Sequence, residues 1–315
     1  MGTVPPPVEA AESAAQVEAV ARWIWGPTPL LDEGVVQPMA VVADGGRVRV
    51  LRIGPHAPKS TIDAFVLGYT RARVDAIVTS GATVRAEPEE RYGLNVGPGL
   101  LSTGLERARR EIAGRNGPPI VAVITSGRKL DLDQPLFDGA GEGGRRVCIY
   151  TGPEGGARLE GAAQRRGIEL VVVEVTSIAD VLWRLRSREG CRLVSIEAGP
   201  SATRPLYAIP GTSDREVGPG AAGSKGRATR MASAGRADAD EGREDAPFVD
   251  ELLLSRFLGP EVDREGVGPA LMSEASLAAG YPLEPPDASR TVDEASGPWR
   301  FERRRRTTGA EAQRS

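Results

Sequence analysis

Three loops of small and polar residues carry the side chains best suited to chemistry. The first spans residues 79–88 and offers the hydroxyl of Thr83 and the carboxylate of Glu87. The second spans residues 124–130 and the third residues 197–203, and each loop directly follows an apolar run typical of a buried strand. Ligands of parallel sheets bind beyond the carboxyl ends of the strands, so the position of these loops predicts a binding site.

The second and third loops contain groups that suit phosphates. Ser126 and Arg128 could hold a phosphate such as the one that distinguishes NADP from NAD. In the third loop, Gly199, Pro200 and Ser201 form a turn that can begin a helix and direct free amides at a pyrophosphate. The spacing differs from G-x-G-x-x-G, so a standard dinucleotide-binding Rossmann unit is not predicted. Each loop has a structural alternative. The first could be an ordinary strand-to-helix turn, the second a solvated basic turn and the third a plain helix cap.

Several other chemistries are excluded by residue content. His56 is the only histidine, and the two cysteines, Cys148 and Cys191, lie far apart in the chain. A metal site is therefore not predicted, and a zinc-dependent nucleobase deaminase would need H-x-E and P-C-x-x-C segments that the chain lacks. Hydride transfer remains possible because a nicotinamide cofactor itself supplies the reactive atom.

Charge and composition narrow the partners. Forty Lys and Arg against 43 Asp and Glu give a net charge of −3, which argues against a nucleic-acid-binding protein. The basic cluster at residues 303–306 is interpreted as a solvated tail. No apolar run reaches the length of a membrane span, and the cysteines suit reduced thiols, so a cytoplasmic protein without a membrane partner is expected.

The periodicity of apolar residues predicts an α/β fold. Apolar strand-like runs alternate with amphipathic stretches, a pattern typical of a mainly parallel sheet covered on both faces. Strands are expected around residues 39–50, 76–78, 118–127, 145–153, 168–175, 191–199 and 248–260, and helices around residues 8–25, 60–75, 105–113, 157–167 and 177–190.

These elements define the predicted organisation. Residues 1–36 form an arm with a helix, and residues 37–260 form the main domain. Residues 211–246 have almost no large apolar side chain and are predicted to be a disordered insertion, with an interdomain linker as the rival interpretation. Residues 261–315 form a polar tail whose segment 298–306 could add a last edge strand.

The order of these segments resembles the pyrimidine reductases of riboflavin biosynthesis, the reductase domain of the bacterial bifunctional deaminase-reductases. The matching segments follow the family's order along the chain: residues 39–47, 71–77, 80–87, 126–130, 135–137, 197–201 and 249–252. The chain differs from the family's usual residue at Ala43, Ser80, Glu87 and Ala198.

The resemblance implies a dihydrofolate-reductase-like fold, in which a mixed, mainly parallel sheet is flanked by helices. It also implies a homodimer that uses NADPH to reduce a ribosylamino-pyrimidine phosphate or a related pterin-like substrate. Thr83 and Glu87 would contact the nicotinamide, Ser126 and Arg128 the ribose phosphate, and residues 199–201 the pyrophosphate.

The substrate is assigned by the resemblance to Asp44, Arg71 and Glu197, the last two holding its phosphate. Arg71 also lies four residues before Asp75, so an ion pair across one helical turn is an alternative for this side chain. A non-catalytic member of the same fold, which binds a nucleotide or a partner without turnover, is the alternative for the whole protein.

Overall fold

The computed structural model describes residues 8–52, 54–94, 102–141, 146–174, 176–207, 248–260, 262–285 and 288–307. The predicted disordered insertion at residues 211–246 lies outside these described residues.

The fold is built around one 11-stranded sheet with the spatial order β10-β11-β8-β1-β7-β3-β4-β5-β6, in which β2 pairs with both β1 and β9. Strands β1 and β3–β8 run parallel to their neighbours within this group, whereas β2, β9, β10 and β11 join by antiparallel pairing. The strands are β1 (Gly34–Asp44), β2 (Arg47–Leu51), β3 (Ala76–Ser80), β4 (Ile120–Ile124), β5 (Val147–Thr151), β6 (Glu169–Val172), β7 (Leu193–Glu197), β8 (Glu251–Phe257), β9 (Val267–Ser273), β10 (Ser289–Glu294) and β11 (Gly297–Arg305).

Helices cover both faces of this sheet, which confirms the predicted α/β class. They are α1 (Ala14–Trp25), α2 (Thr61–Arg73), α3 (Gly81–Ala86), α4 (Ser102–Glu111), α5 (Pro153–Arg165), α6 (Ile178–Ser187), α7 (Pro200–Thr203) and α8 (Glu274–Gly280). Apolar side chains of α1, α2, α4 and α5 pack on one face, and those of α6 and α8 pack on the other. Serine side chains at residues 60 and 177 accept hydrogen bonds from the first turns of α2 and α6, so the local sequence determines where these helices begin.

The segment expected to be an arm packs against the main domain. Helix α1 buries Val17, Ile24 and Trp25 in the same core as the sheet, and β1 already begins at Gly34. The 3.6-residue spacing of its apolar side chains is what allows α1 to bury one face here.

The segment expected to be a polar tail supplies three strands of the sheet. A strand forms at the segment expected to add one, but β11 pairs with β8 on one side and β10 on the other, so β10 and not β11 forms this edge. The sequence pattern that predicts strands is weak in this segment, because β10 and β11 are rich in charged residues, which usually indicate solvent exposure.

The basic cluster at residues 303–306 is not a solvated tail. Arg303 has no exposed surface, and its Nε donates to Glu251 Oε1 at 2.7 Å. The Arg303 guanidinium also donates to the carbonyl oxygens of Thr28 and Pro29. This ion pair connects the last strand to β8 and to the segment after α1. Among the described residues, no helix is long and apolar enough to cross a bilayer.

Candidate active site at the carboxyl ends of the parallel strands

The centre of the candidate site lies where β3 and β7 end side by side. Thr79 and Glu197 are register partners in these parallel strands. Because side chains alternate along a strand, both project to the face covered by α2, and the hydroxyl of Thr79 donates to the carbonyl oxygen of Glu197 at 3.0 Å. Side chains of a helix lean toward its amino end, so Arg71 in the last turn of α2 reaches this same edge.

Arg71 is buried in a network of two carboxylates. Its side chain is 1% exposed, and its Nε and Nη2 donate to Glu197, the closer contact being 2.7 Å. Its Nη1 donates to Glu90 at 3.0 Å and to the carbonyl oxygen of Gly93 at 3.1 Å. The guanidinium also lies 5.1 Å from the ring centroid of Tyr92. Arg71 and Glu197, both predicted from sequence as site residues, therefore form an ion pair. Because this pair and Glu90 occupy the guanidinium, few of its N–H groups remain available for an external phosphate.

The pair that the sequence offered as an alternative does not form. Asp75 binds Arg115 instead, with an Nε–Oδ1 distance of 2.7 Å, and its other oxygen accepts the amides of Arg192 and Leu193. Asp75 thus joins the starts of β3 and β7, away from the candidate site.

The loop after β3 covers the network. Ser80 caps α3: its hydroxyl accepts from the amide of Thr83 at 3.2 Å and lies 2.9 Å from the Thr83 hydroxyl. Ser80, which stands where the pyrimidine reductases usually have glycine, thus has a capping function in this chain. At the other end of the loop, the hydroxyl of Tyr92 lies 3.1 Å from the Thr79 hydroxyl and donates to Glu87 Oε2 at 3.4 Å. Tyr92 has a φ of 51°, a conformation that is unusual for a bulky side chain and is found where the surroundings determine it.

Glu87 is the group whose protonation is most useful here. Its burial and the nearby carboxylates of Glu197 and Glu90 raise its pKa to about 7, and Arg71 and the Tyr92 hydroxyl offset part of this rise. A carboxylic acid with a pKa near neutrality can donate and accept protons at physiological pH.

The contacts around Glu87 give opposite predictions for two substitutions. Tyr92→Phe removes a hydrogen bond that stabilises the carboxylate, so the pKa of Glu87 should rise further. Glu90→Gln removes a repelling negative charge, so the same pKa should fall. A carbon-13 NMR titration of the Glu87 carboxyl group measures both shifts. Shifts of the same sign in the two variants would contradict this account of the network.

The loop after β4 holds Ser126 and Arg128 on the surface. Both side chains are exposed, and Arg128 lies 3.8 Å from Glu154, beyond hydrogen-bonding distance. Gly127 between them has a φ of 73°, and a Cβ here would lie 2.7 Å from Cα of Gly155. This close approach to α5 fixes the loop while it leaves the two polar side chains free toward solvent.

The loop after β7 is also open. Gly199 and Ser201 are exposed at the start of α7, and a Cβ on Gly199 would meet no atom within 4 Å. Ala198, which replaces a usual glycine, is buried in the apolar cluster on the α6 side of the sheet. Its methyl group therefore does not narrow the open side of the loop.

Asp44 is not brought to this site. It lies at the tight turn between β1 and β2, where Gly45 and Gly46 adopt positive φ, and its carboxylate is 3.4 Å from Arg49. None of the contacts of the described residues connects Asp44 to Arg71 or Glu197.

Sequence reasoning missed Thr79, Glu90 and Tyr92 as site residues. Thr79 could have been found from alternation, since it is the first residue of the 79–88 segment and shares a strand face with buried Ile77. Glu90 and Tyr92 lie in an irregular segment without periodicity, so only the tertiary structure places them on Arg71. Within the described part of the chain, no group of three or more metal-binding side chains occurs.

Comparison with known proteins finds similarity in structure only. No protein-family model matches the sequence, and no curated protein matches it. A pyrimidine reductase-like protein from Corynebacterium diphtheriae superposes with a TM-score of 0.57 at 18% identity, over 91% of this chain and 98% of that one. RibD from Acinetobacter baumannii gives a TM-score of 0.49 at 14% identity, over 88% of this chain and 58% of that one. The riboflavin biosynthesis reductase of Saccharomyces cerevisiae gives 0.46 at 13% identity, over 92% and 98%.

The first of these superpositions shows the fold of this chain. It is the mixed, mainly parallel sheet with flanking helices that occurs in the pyrimidine reductase-like protein, so the fold that the periodicity predicted and the resemblance implied is confirmed. The resemblance to pyrimidine reductases that the sequence suggested is thus confirmed for the fold.

Proposed function

We propose that this protein is an NADPH-dependent reductase of a ribosylamino-pyrimidine phosphate or a related pyrimidine or pterin-like compound. The observation that carries the proposal is the position of Glu87. A carboxyl group with a pKa of about 7 lies beside the buried Arg71–Glu197 pair, at the strand ends where sheets of this class bind ligands.

The loops after β4 and β7 have the properties that a dinucleotide phosphate needs. The loops are separated by β3, so they lie about 10 Å apart at the usual strand spacing. In the proposed complex, Gly199, Pro200 and Ser201 receive the pyrophosphate, while Ser126 and Arg128 receive the ribose phosphate. The open space at Gly199 and the loose pairing of Arg128 fit these roles. NADPH, when bound, would supply the hydride.

The residues of this chain would supply orientation and a proton. Thr83 and Glu87 face the cofactor side in this proposal, and the protonated form of Glu87 donates the proton that accompanies reduction. Arg71 acts through Glu197, whose carboxylate it holds in place at 2.7 Å. The substrate phosphate reaches Arg71 only if Glu197 or Glu90 gives up its hydrogen bonds.

Replacement of Arg128 by Ala tests the cofactor assignment. The variant should bind NADPH about ten- to a hundredfold more weakly, because a charge-assisted contact to the phosphate contributes about 1.5–3 kcal/mol. NADH lacks this phosphate, so its affinity should not change. Fluorescence titration of both cofactors measures the two affinities, and Arg165→Ala, an exposed arginine at the far end of α5, is the charge-matched control.

Three outcomes would count against different parts of the proposal. Equal weakening of NADPH and NADH would remove Arg128 from the phosphate site. Tight NADPH binding without turnover of any ribosylamino-pyrimidine would point to a reductase with another substrate. No binding of NADPH would favour the non-catalytic alternative.

A further inference from the structure

A second cavity lies on the opposite edge of the sheet from the candidate active site. Its volume is about 580 Å³, within the range of about 300–1,000 Å³ of small-molecule pockets. Its lining comes from the residues before β7 and β8, from the end of β11 and from the last turns of α6. Since β7 is five residues long, this edge is about 13 Å from Glu197. The cavity is therefore separate from the site at the carboxyl ends.

The lining of this cavity contains more cationic than anionic side chains. Arg186, Arg192 and Arg306 are the cationic residues, and Glu33 and Asp250 are the anionic ones. Asp250 interacts with the charges of Arg306 and Arg186, and its Oδ2 accepts the amide of Val35 at 2.8 Å, so one negative charge partly offsets the three arginines.

The three arginines are only loosely paired within the described part of the chain. Arg306 lies 3.7 Å from Asp250, and its buried Nε has no hydrogen-bond partner. Arg192 lies 3.6 Å from Asp32 at the surface, and Arg186 has no hydrogen bond or ion pair with a described residue. The exposed guanidiniums of Arg186 and Arg192 are therefore able to donate charge-assisted hydrogen bonds to an anionic ligand in the cavity.

Aromatic rings line the same cavity. Trp183 is 45% exposed, which is unusual for a side chain of this size, and Phe248 lies under the guanidinium of Arg306 at 4.4 Å. Arg188 lies 5.6 Å from the Trp183 ring centroid, which is compatible with a second planar group on the ring. An exposed tryptophan beside several arginines is the combination that binds a nucleobase by stacking and its phosphate by charge.

We propose that this cavity is a binding site for a nucleoside phosphate, in which Arg186, Arg192 and Arg306 hold the phosphate and Trp183 stacks on the base. The ligand is separate from the NADPH of the proposed reaction, because the two sites lie on opposite edges of the sheet.

Calorimetric titration of the full-length protein with guanosine monophosphate tests this proposal. We expect one molecule to bind per chain, with quenching of tryptophan fluorescence that is absent from the Trp183→Ala variant. The double variant Arg186→Ala, Arg192→Ala should weaken binding by more than tenfold, since each lost charge-assisted contact is worth about ten- to a hundredfold. Arg165→Ala is again the control with an unchanged affinity.

A comparison of guanosine monophosphate with inorganic phosphate separates the base-binding part of the site from the phosphate-binding part. Trp183→Ala should weaken guanosine monophosphate by about fivefold to a hundredfold, while the weaker binding of inorganic phosphate stays unchanged. The arginine variant should weaken both probes. Trp183 and the two arginines are solvent-exposed, so these variants are expected to fold like the parent protein.

Any of three results would overturn the proposal. The first is that guanosine monophosphate does not bind, and the second is that it binds the double arginine variant with the affinity of the parent protein. The third is that Arg128→Ala lowers its affinity, which would place the nucleotide at the carboxyl-end loops. Inorganic phosphate that binds as tightly as the nucleotide would remove Trp183 and the base from the assignment.

Discussion

Glu87→Gln is expected to reduce kcat for the ribosylamino-pyrimidine by about 10²- to 10⁴-fold, the usual effect of losing a general acid. The amide keeps the shape of the side chain and cannot donate the proton. In the parent protein, kcat/KM should fall as the pH rises above about 7, because the carboxyl group then ionises. The residual activity of Glu87→Gln should lack this decline, and steady-state rates between pH 5 and 9 measure both effects.

Stability measurements separate this chemical effect from misfolding. The pKa of Glu87 is raised in the folded protein, so the folded state binds its proton more tightly than the unfolded state. The stabilisation from this group is complete below the unfolded value near 4.5 and is lost as the pH rises through about 7. Glutamine carries no charge at any pH, so the variant should be at least as stable as the parent protein at pH 8.

Glu89 is an exposed carboxylate in the same segment, and Glu89→Gln, the matched control, should retain full activity. A normal rate in Glu87→Gln would remove this residue from the proton transfer.

Arg303→Met is expected to destabilise the protein by about 3–5 kcal/mol, because the buried carboxylate of Glu251 loses its direct partner and retains the looser contact with Arg305 at 3.6 Å. Both side chains have no exposed surface, and the substitution also removes the hydrogen bonds to the carbonyl oxygens of Thr28 and Pro29. The free energy of unfolding in urea measures the loss.

Two further variants show whether the buried charge is the cause. The Arg300 side chain is exposed and lies on the opposite face of the same strand. Arg300→Met should therefore change the free energy of unfolding by less than about 0.5 kcal/mol. The double variant Glu251→Met, Arg303→Met removes both charges and should recover part of the loss, since a hydrophobic pair often replaces a buried ion pair at little cost. Equal small effects of Arg303→Met and Arg300→Met would contradict the buried position of Arg303.

Local sequence was sufficient for much of the fold. The apolar runs that predicted strands are β3, β4, β5, β6 and β7 in the structure, and each is followed by the loop or helix that the pattern indicated. The Asp44-Gly45-Gly46 turn and the Ser60 cap are likewise local features, because positive φ and helix capping depend on residues close in the chain. The charged strands β10 and β11 were underestimated, since burial by ion pairs leaves no apolar periodicity.

The sequence by itself determined the alternation of strands and helices, and with it the edge of the sheet that carries Ser126, Glu197 and Gly199. Only the tertiary structure decided which charges meet there. Arg71 pairs with Glu197, 126 residues away, and not with Asp75 one turn later, and Arg303 pairs with Glu251 inside the core. The physical reason is that ion-pair partners depend on which strands become neighbours. That order follows from the packing of the whole sheet and leaves no periodic pattern in the chain.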